Sequence, residues 1–159
     1  MRNVVTTLAA LAVAGLLACA STSGPTPPTG AGATACSPHA GVEVKLVSAT
    51  GEGDHLAAWS GEGTIVEPTA WITSADVERV DVVRDPEHPR RALSVVLRGD
   101  ARGRLERLTG ENVGRRVAIV VGGRVAATLA IRDPVRGPAL LVTGASDADV
   151  DSMTHAVCD

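Results

Sequence analysis

The chain of 159 residues contains no Phe, no Tyr, only two Trp and a single Lys, Lys45. Its core must therefore be filled with Val, Leu, Ile and Ala, and it has no set of rings on which successive nucleotide bases could stack. The formal charge of −3 lacks the basic excess of a general nucleic-acid binder. There is no CxxC and no HExxH, and no His or carboxylate stands at metal-ligand spacing from Cys36 or Cys158. His39, His55, His88 and His155 show no pairing, and most fall in segments that read as loops. Ser60 lacks the Gly two places upstream that a nucleophile elbow needs. Gly51-Glu52-Gly53 and Gly61-Glu62-Gly63 are glycine-rich but acidic, the wrong sign for cradling phosphate. Asp147-x-Asp149-x-Asp151 imitates the start of a calcium loop, but Ser152 stands where Gly is required and Cys158 where a bidentate Glu is required. The first turn of a helix accounts better for those carboxylates. No catalytic residue, metal site or cofactor is expected.

What is present begins with an address. Arg2 supplies a positive start, and Val4 to Leu17 is an uncharged run of fourteen residues. That is short for a membrane-spanning helix, which needs about 20. The run ends in Leu16-Leu17-Ala18-Cys19, which resembles the bacterial lipobox: a Leu three places before the Cys and a small residue directly before it. The bland alternative is an ordinary secretory signal that happens to contain a Cys. On the lipobox reading residues 1–18 are a lipoprotein signal peptide, and Cys19 carries acyl chains that hold the chain to a bilayer. Ala20, where an Asp would mark inner-membrane retention, points to the outer membrane of a Gram-negative cell. Residues 19–35 then form the lipidated Cys and a flexible Pro/Gly/Thr tether, uncharged and with nothing to bury. Residues 36–159 are the folded domain, long enough for one core.

Cys36 and Cys158 stand at the two ends of that domain in an oxidising compartment. A disulfide between them would stabilise the fold by about 4–5 kcal/mol on the chain-entropy account. Two free thiols are the alternative, with no redox or metal motif to employ them.

Val42, Val44 and Leu46 alternate with Glu43, Lys45 and Val47, the pattern of a half-buried strand. Residues 49–63 read as a long acidic loop, and Ile65-Val66 as a return to extension. Thr73-Ser74 caps a short helix near 75–79, and strands are predicted over Val80–Val83 and Leu93–Leu97, on either side of a turn at 85–89. Asp100 caps a helix with Ala101, Leu105 and Leu108 on one face, ended by Gly110 to Gly114. Gly122-Gly123 between Val117–Val121 and Val125–Ile131 is the strongest hairpin signal in the chain. A strand at Ala139–Thr143 and a helix capped by Ser146, with Val150, Met153 and Val157 as its stripe, complete the order. The fold class is α+β, a largely antiparallel sheet with two main helices packed on one face.

Charge is uneven: residues 43–78 carry seven acids and one base, and residues 79–116 carry ten Arg and six acids. The Arg102–Glu106 spacing suits a paired, solvated helix face, with a polyanion- or partner-binding surface as the other reading. Trp71 is expected in the core. Trp59, in a polar Gly-rich loop with only Leu56 nearby, either packs back on the sheet or is a binding anchor.

From Leu93 onward the chain resembles the head subdomain in the first periplasmic region of SecD and SecDF, protein-export subunits. The resemblance rests on Leu105-Glu106-Arg107-Leu108-Thr109-Gly110-Glu111-Asn112-Val113-Gly114-Arg115-Arg116, then Val117-Ala118-Ile119-Val120-Val121 and Gly123-Arg124-Val125. Ile131-Arg132-Asp133-Pro134 and Val142-Thr143-Gly144 follow in order, and Thr73-Ser74-Ala75-Asp76-Val77 looks like the family's short pre-helix. Ala127-Thr128-Leu129 and Gly137-Pro138 depart from the pattern. The resemblance implies the head fold and a capacity to touch extended polypeptide. The family's proton-coupled work needs transmembrane helices, and none follows this domain, so that work is not carried over.

The expected protein is a non-catalytic, membrane-anchored envelope lipoprotein on the extracytoplasmic side, binding an extended polypeptide or an envelope protein and no nucleic acid. An envelope hydrolase and a purely structural lipoprotein are the alternatives. For the anchor, Cys19→Ser is expected to abolish acyl labelling and release the protein from the membrane fraction. Persistent labelling of that variant would reject the lipobox.

Overall fold

The computed structural model describes residues 35–38, 41–84, 90–144 and 146–159. The signal peptide, Cys19 and the tether up to residue 34 lie outside the described residues, as do His39, His88 and the turn at 85–89. In chain order the elements are β1 (Ala35–Cys36), β2 (Val42–Val47), β3 (Asp54–Leu56), β4 (Thr64–Ile72), a 3-10 turn (Ser74–Asp76), β5 (Val77–Arg84) and β6 (Arg91–Leu97). Then come α1 (Gly99–Glu111), β7 (Arg116–Val121), β8 (Arg124–Ala130), β9 (Ala139–Thr143) and α2 (Asp147–Cys158).

The fold is α+β, and every pairing between named strands is antiparallel. The strands are shared between two sheets, ordered β1-β5-β6-β9 and β3-β4-β2-β7-β8. Alternation along each strand does not reveal this division, because it reports which face is buried and not which neighbour is paired.

One core joins both sheets and both helices. Val44 and Ile119 of the second sheet, Val80 and Leu93 of the first, Leu105 of α1 and Met153 of α2 belong to a single buried cluster. The predicted α2 stripe of Val150, Met153 and Val157 is buried, and Ser146 accepts from the Asp149 amide at 3.2 Å. A capping box closes there as Asp149 accepts from the Ser146 amide at 2.8 Å. Glycine is required at the β7–β8 turn, where Gly122 and Gly123 have φ of +58° and +74°. Gly122 also permits close approach of α2: a Cβ there would lie 2.7 Å from the Ala156 Cβ.

Several local expectations are revised. The 49–63 loop contains β3, which pairs with β4. The strand glimpsed at Ile65-Val66 runs through to Ile72 despite Pro68. The register shift opposite Lys45–Val47 bulges the strand there, so Pro68 has no ladder bond to break. The short helix near 75–79 is a 3-10 turn ending at Asp76, and Val77 already belongs to β5. Arg98, not Asp100, is the N-cap of α1. In α1 it is Thr109, not Leu108, that joins Ala101 and Leu105 inside. The Thr109 hydroxyl donates to the Leu105 carbonyl at 2.7 Å and accepts from the Val135 amide at 2.9 Å, so the polar group is satisfied where it is buried. Arg102 and Glu106 do not pair with each other: Arg102 reaches Glu78, and Glu106 accepts from Arg136.

Asp76 ties the 3-10 turn to α1. Its carboxylate accepts from the Thr73 amide at 2.9 Å, the Thr73 hydroxyl at 3.2 Å, and the Arg104 guanidinium. Burial pushes its pKa up, but the Thr73 amide, Arg104 and the Thr73 hydroxyl together outweigh that and hold it below the ordinary carboxylate value. A carboxylate depressed in the folded state contributes stability above its unfolded pKa of about 4 and loses it as pH falls through the folded value. Asp76→Asn is therefore expected to cost about 1–3 kcal/mol at neutral pH. Urea unfolding should show a shallower loss of stability on acidification below about pH 4 than in the wild type.

Candidate functional site

The region singled out by Trp59 is a seam. After β3, the chain crosses to the opposite edge of its sheet, where the Trp59 amide donates to the Val125 carbonyl at 2.9 Å and the Val125 amide to the Ala57 carbonyl at 2.8 Å. A single parallel bridge, Ala58 to Val125, thus joins the β3 end of the sheet to β8. Trp59 Nε1 donates to the Val121 carbonyl at 2.8 Å, and its half-buried ring packs against the main core. The Arg124 guanidinium lies 4.6 Å from the ring centroid and donates to the Ala58 carbonyl at 2.6 Å. Leu56, the one neighbour foreseen for Trp59, packs instead in a second small cluster with Val66, Ala118, Val120 and Val125. Of the two readings of Trp59, packing on the sheet is what the geometry displays; a binding role concerns the part of the ring that remains exposed.

Lys45 lies on the face of β2 that alternation assigns to solvent, yet its side chain is only 9% exposed. The segment from β3 to Ala58 covers that face. Lys45 Nζ is 3.1 Å from Asp54 and 3.5 Å from Glu43, so the only Lys of the chain is held by two half-exposed carboxylates and pins β3 to β2. Alternation could not have found this, because it does not register that the segment after β3 folds back over β2 on its way to β8.

The Thr109–Arg116 motif is a joint. Thr109 fixes the connection after β8, and Asn112 Nδ2 donates to the Leu108 carbonyl at 2.9 Å. Gly114, with φ of +88°, turns the chain so that its amide meets the Ile131 carbonyl at 2.9 Å. Arg115 then pairs with Glu67 on β4. All four residues are engaged with the protein itself.

The Asp147/Asp149/Asp151 set is also occupied within the fold: Asp149 completes the α2 cap, and Asp151 lies 2.6 Å from Arg91. Among the described residues no group of three or more His, Cys, Asp or Glu could hold a metal ion. His55 is exposed on β3 and His155 pairs with Asp159. Two open surface depressions are present, one lined by His55, Leu56 and Thr64, the other by Ser48, Thr50, Glu52, Glu67 and Arg115. In the second, the Ser48 and Thr50 hydroxyls meet at 3.4 Å and Glu67 is paired with Arg115.

Cys36 and Cys158 lie at disulfide distance, with Cα atoms 5.7 Å apart across a sequence separation of 122. Among the described residues no helix is long and apolar enough to cross a membrane.

These features define an α+β domain of two antiparallel sheets around one core, closed at a Trp-lined seam. Residues 50–153 match the family described as the SecDF P1 head subdomain, and the chain belongs to that family. Two solved structures share the fold. One is described as "Structure and function of a membrane component SecDF that enhances protein export"; it has 20% identity and a TM-score of 0.57, over 76% of this chain and 62% of that one. The other, "Crystal structure of SecDF in Super-membrane-facing form", has 21% identity and a TM-score of 0.58, over 76% of this chain and 18% of that one. The chain thus spans less than two thirds of either neighbour. No curated protein matches it.

For the cysteines, the expectation is that the mature protein, unfolded without reductant, resists thiol alkylation at Cys36 and Cys158 until it is reduced. Two readily alkylated thiols under those conditions would contradict the pairing.

Proposed function

We propose that this chain is a membrane-anchored envelope lipoprotein whose head domain binds extended polypeptide or an envelope partner, without catalysis, in connection with protein export. Membership of the SecDF P1 head family over residues 50–153 carries the reading. One structural neighbour is described as enhancing protein export, and what that whole protein does is extended here only as far as polypeptide contact. The Leu16-Leu17-Ala18-Cys19 sequence supports the anchor through Cys19 and an extracytoplasmic location, and Ala20 the outer membrane in a Gram-negative cell. Strand edges recruit extended chains through main-chain hydrogen bonds, which demand little of side-chain identity. The exposed part of the Trp59 ring supplies an apolar contact in this proposal, and a tether raises the local concentration of anything already at the membrane.

The test is saturable binding of a reduced, carboxymethylated and permanently unfolded protein to the full-length chain. The native form of the same protein should not bind, and mass spectrometry should find no cleavage. Trp59→Ala is expected to weaken binding several-fold at a temperature where circular dichroism shows the variant folded. Turnover of a peptide, ester or glycan that a point variant abolishes would establish the hydrolase instead. Absence of binding with a stable envelope complex in pull-downs would favour the structural reading.

A further inference from the structure

The free ends of the two sheets are not equivalent. β1 has two residues, and β3 has three, two of them Asp54 and His55. The part of β5 that β1 leaves uncovered carries Glu78, Arg79 and Arg84. β8 is bridged at Val125 and shifted in register beside it, a distortion that turns an edge away from further pairing. β9 differs from all of these: Ala139–Thr143 has no charge, no Pro and no register shift, and among the described strands it pairs with β6 alone, touching β8 of the other sheet without pairing with it.

Its bonding parity follows from one contact. The Leu97 amide donates to the Pro138 carbonyl at 3.0 Å, so Pro138 faces β6. Main-chain groups in an antiparallel pair alternate between the two edges. Leu140 and Val142 therefore also address β6, and the N–H and C=O of Ala139, Leu141 and Thr143 point outward. The side chains alternate too: Val142 is fully buried, whereas Leu141 is 42% exposed. The row spans about 14 Å, enough to align a segment of about five residues. Near its two ends the charges are already matched, Arg136 with Glu106 at 2.7 Å and Arg91 with Asp151 at 2.6 Å. An incoming charge would lose water without gaining a free partner.

We infer that the outer edge of β9 is a strand-addition site for an extended, uncharged polypeptide segment, with Leu141 at its centre. The inference rests on the polypeptide-binding reading above and adds its place, bonding parity and substrate chemistry. The probe is an uncharged decapeptide of alternating Val and Thr, blocked at both ends and carrying a neutral fluorophore, titrated with the full-length chain by fluorescence anisotropy. Leu141→Pro removes an outward donor at an edge position where Pro is tolerated, and should weaken binding on the order of tenfold with the urea midpoint retained. Leu141→Thr keeps the donor and should bind within about threefold of the wild type. A probe N-methylated at alternate amides keeps one bonding edge and should bind; one methylated at every amide should not. If Leu141→Pro fails to fold, Thr143→Pro, which removes the neighbouring outward donor at the end of β9, takes its place with the same expected loss.

Undiminished binding by a folded Leu141→Pro, or of the fully methylated probe, overturns the β9 site and leaves polypeptide binding standing. Failure of the wild type to bind both this probe and unfolded protein overturns the broader reading as well. A wild-type dimer that Leu141→Pro splits into monomers would give the edge to a second copy and overturn the inference.

Discussion

A core without Phe or Tyr can fill space only if its layers come close together, and this constraint governs the molecule. Branched aliphatic side chains are short, so two sheets and two helices share one cluster only where the backbone allows near contact. The decisive corner is the β7–β8 turn. Gly122 lies against Ala156 of α2, and its amide donates to the Gly41 carbonyl at 2.8 Å. A larger residue at Gly122 would press on Ala156 and push α2 away from the sheets, loosening Val150, Met153 and Val157, whereas a Cβ at Gly41 would crowd the Gly122 backbone at 3.2 Å. Such losses accumulate quickly where packing is close to crystalline density.

The same corner carries the seam. Trp59 approaches Gly122 closely and reaches the Val121 carbonyl, while Arg124 covers its ring. One large ring thus links the loop after β3 to the hairpin and, through the hairpin, to α2. Lys45 performs a comparable task on the opposite face of the sheet through Asp54 and Glu43. Trp59 joins segments 62 residues apart, whereas Lys45 ties together strands only nine residues apart in the chain.

Features decided within a few residues were legible from the sequence. The β2 alternation, the Gly122-Gly123 hairpin and the Ser146-capped α2 stripe are each specified by neighbours along the chain, and each is present. The family resemblance was legible because the residues that carry it, Thr109 to Arg116, are contiguous in the sequence, although their bonds reach as far as Val135, Ile131 and Glu67. What escaped depends on contacts made across the fold. β3 and the burial of Lys45 require knowing that the 54–58 segment folds over β2 and ends at β8. The inward turn of Thr109 in place of Leu108 depends on a hydroxyl bonding to its own helix, which apolar periodicity cannot register. Arg102 and Glu106 were suitably spaced on α1, but partners on β5 and on the connection to β9 reach them instead. The open edge of β9 was equally invisible, because being an edge is a property of the whole sheet.

A disulfide between Cys36 and Cys158 would also set how the domain responds to tension. β1 pairs with β5 through only two residues and would peel away under a modest pull on the chain before it. With the two cysteines joined, that pull bypasses β1 and enters the C-terminal end of α2. From there it acts along a helix packed against β5, β6 and β7, loading many buried contacts at once. A pull resisted at the body of the domain would then load a helix that must slide as a unit, in place of a strand that unzips one bond at a time.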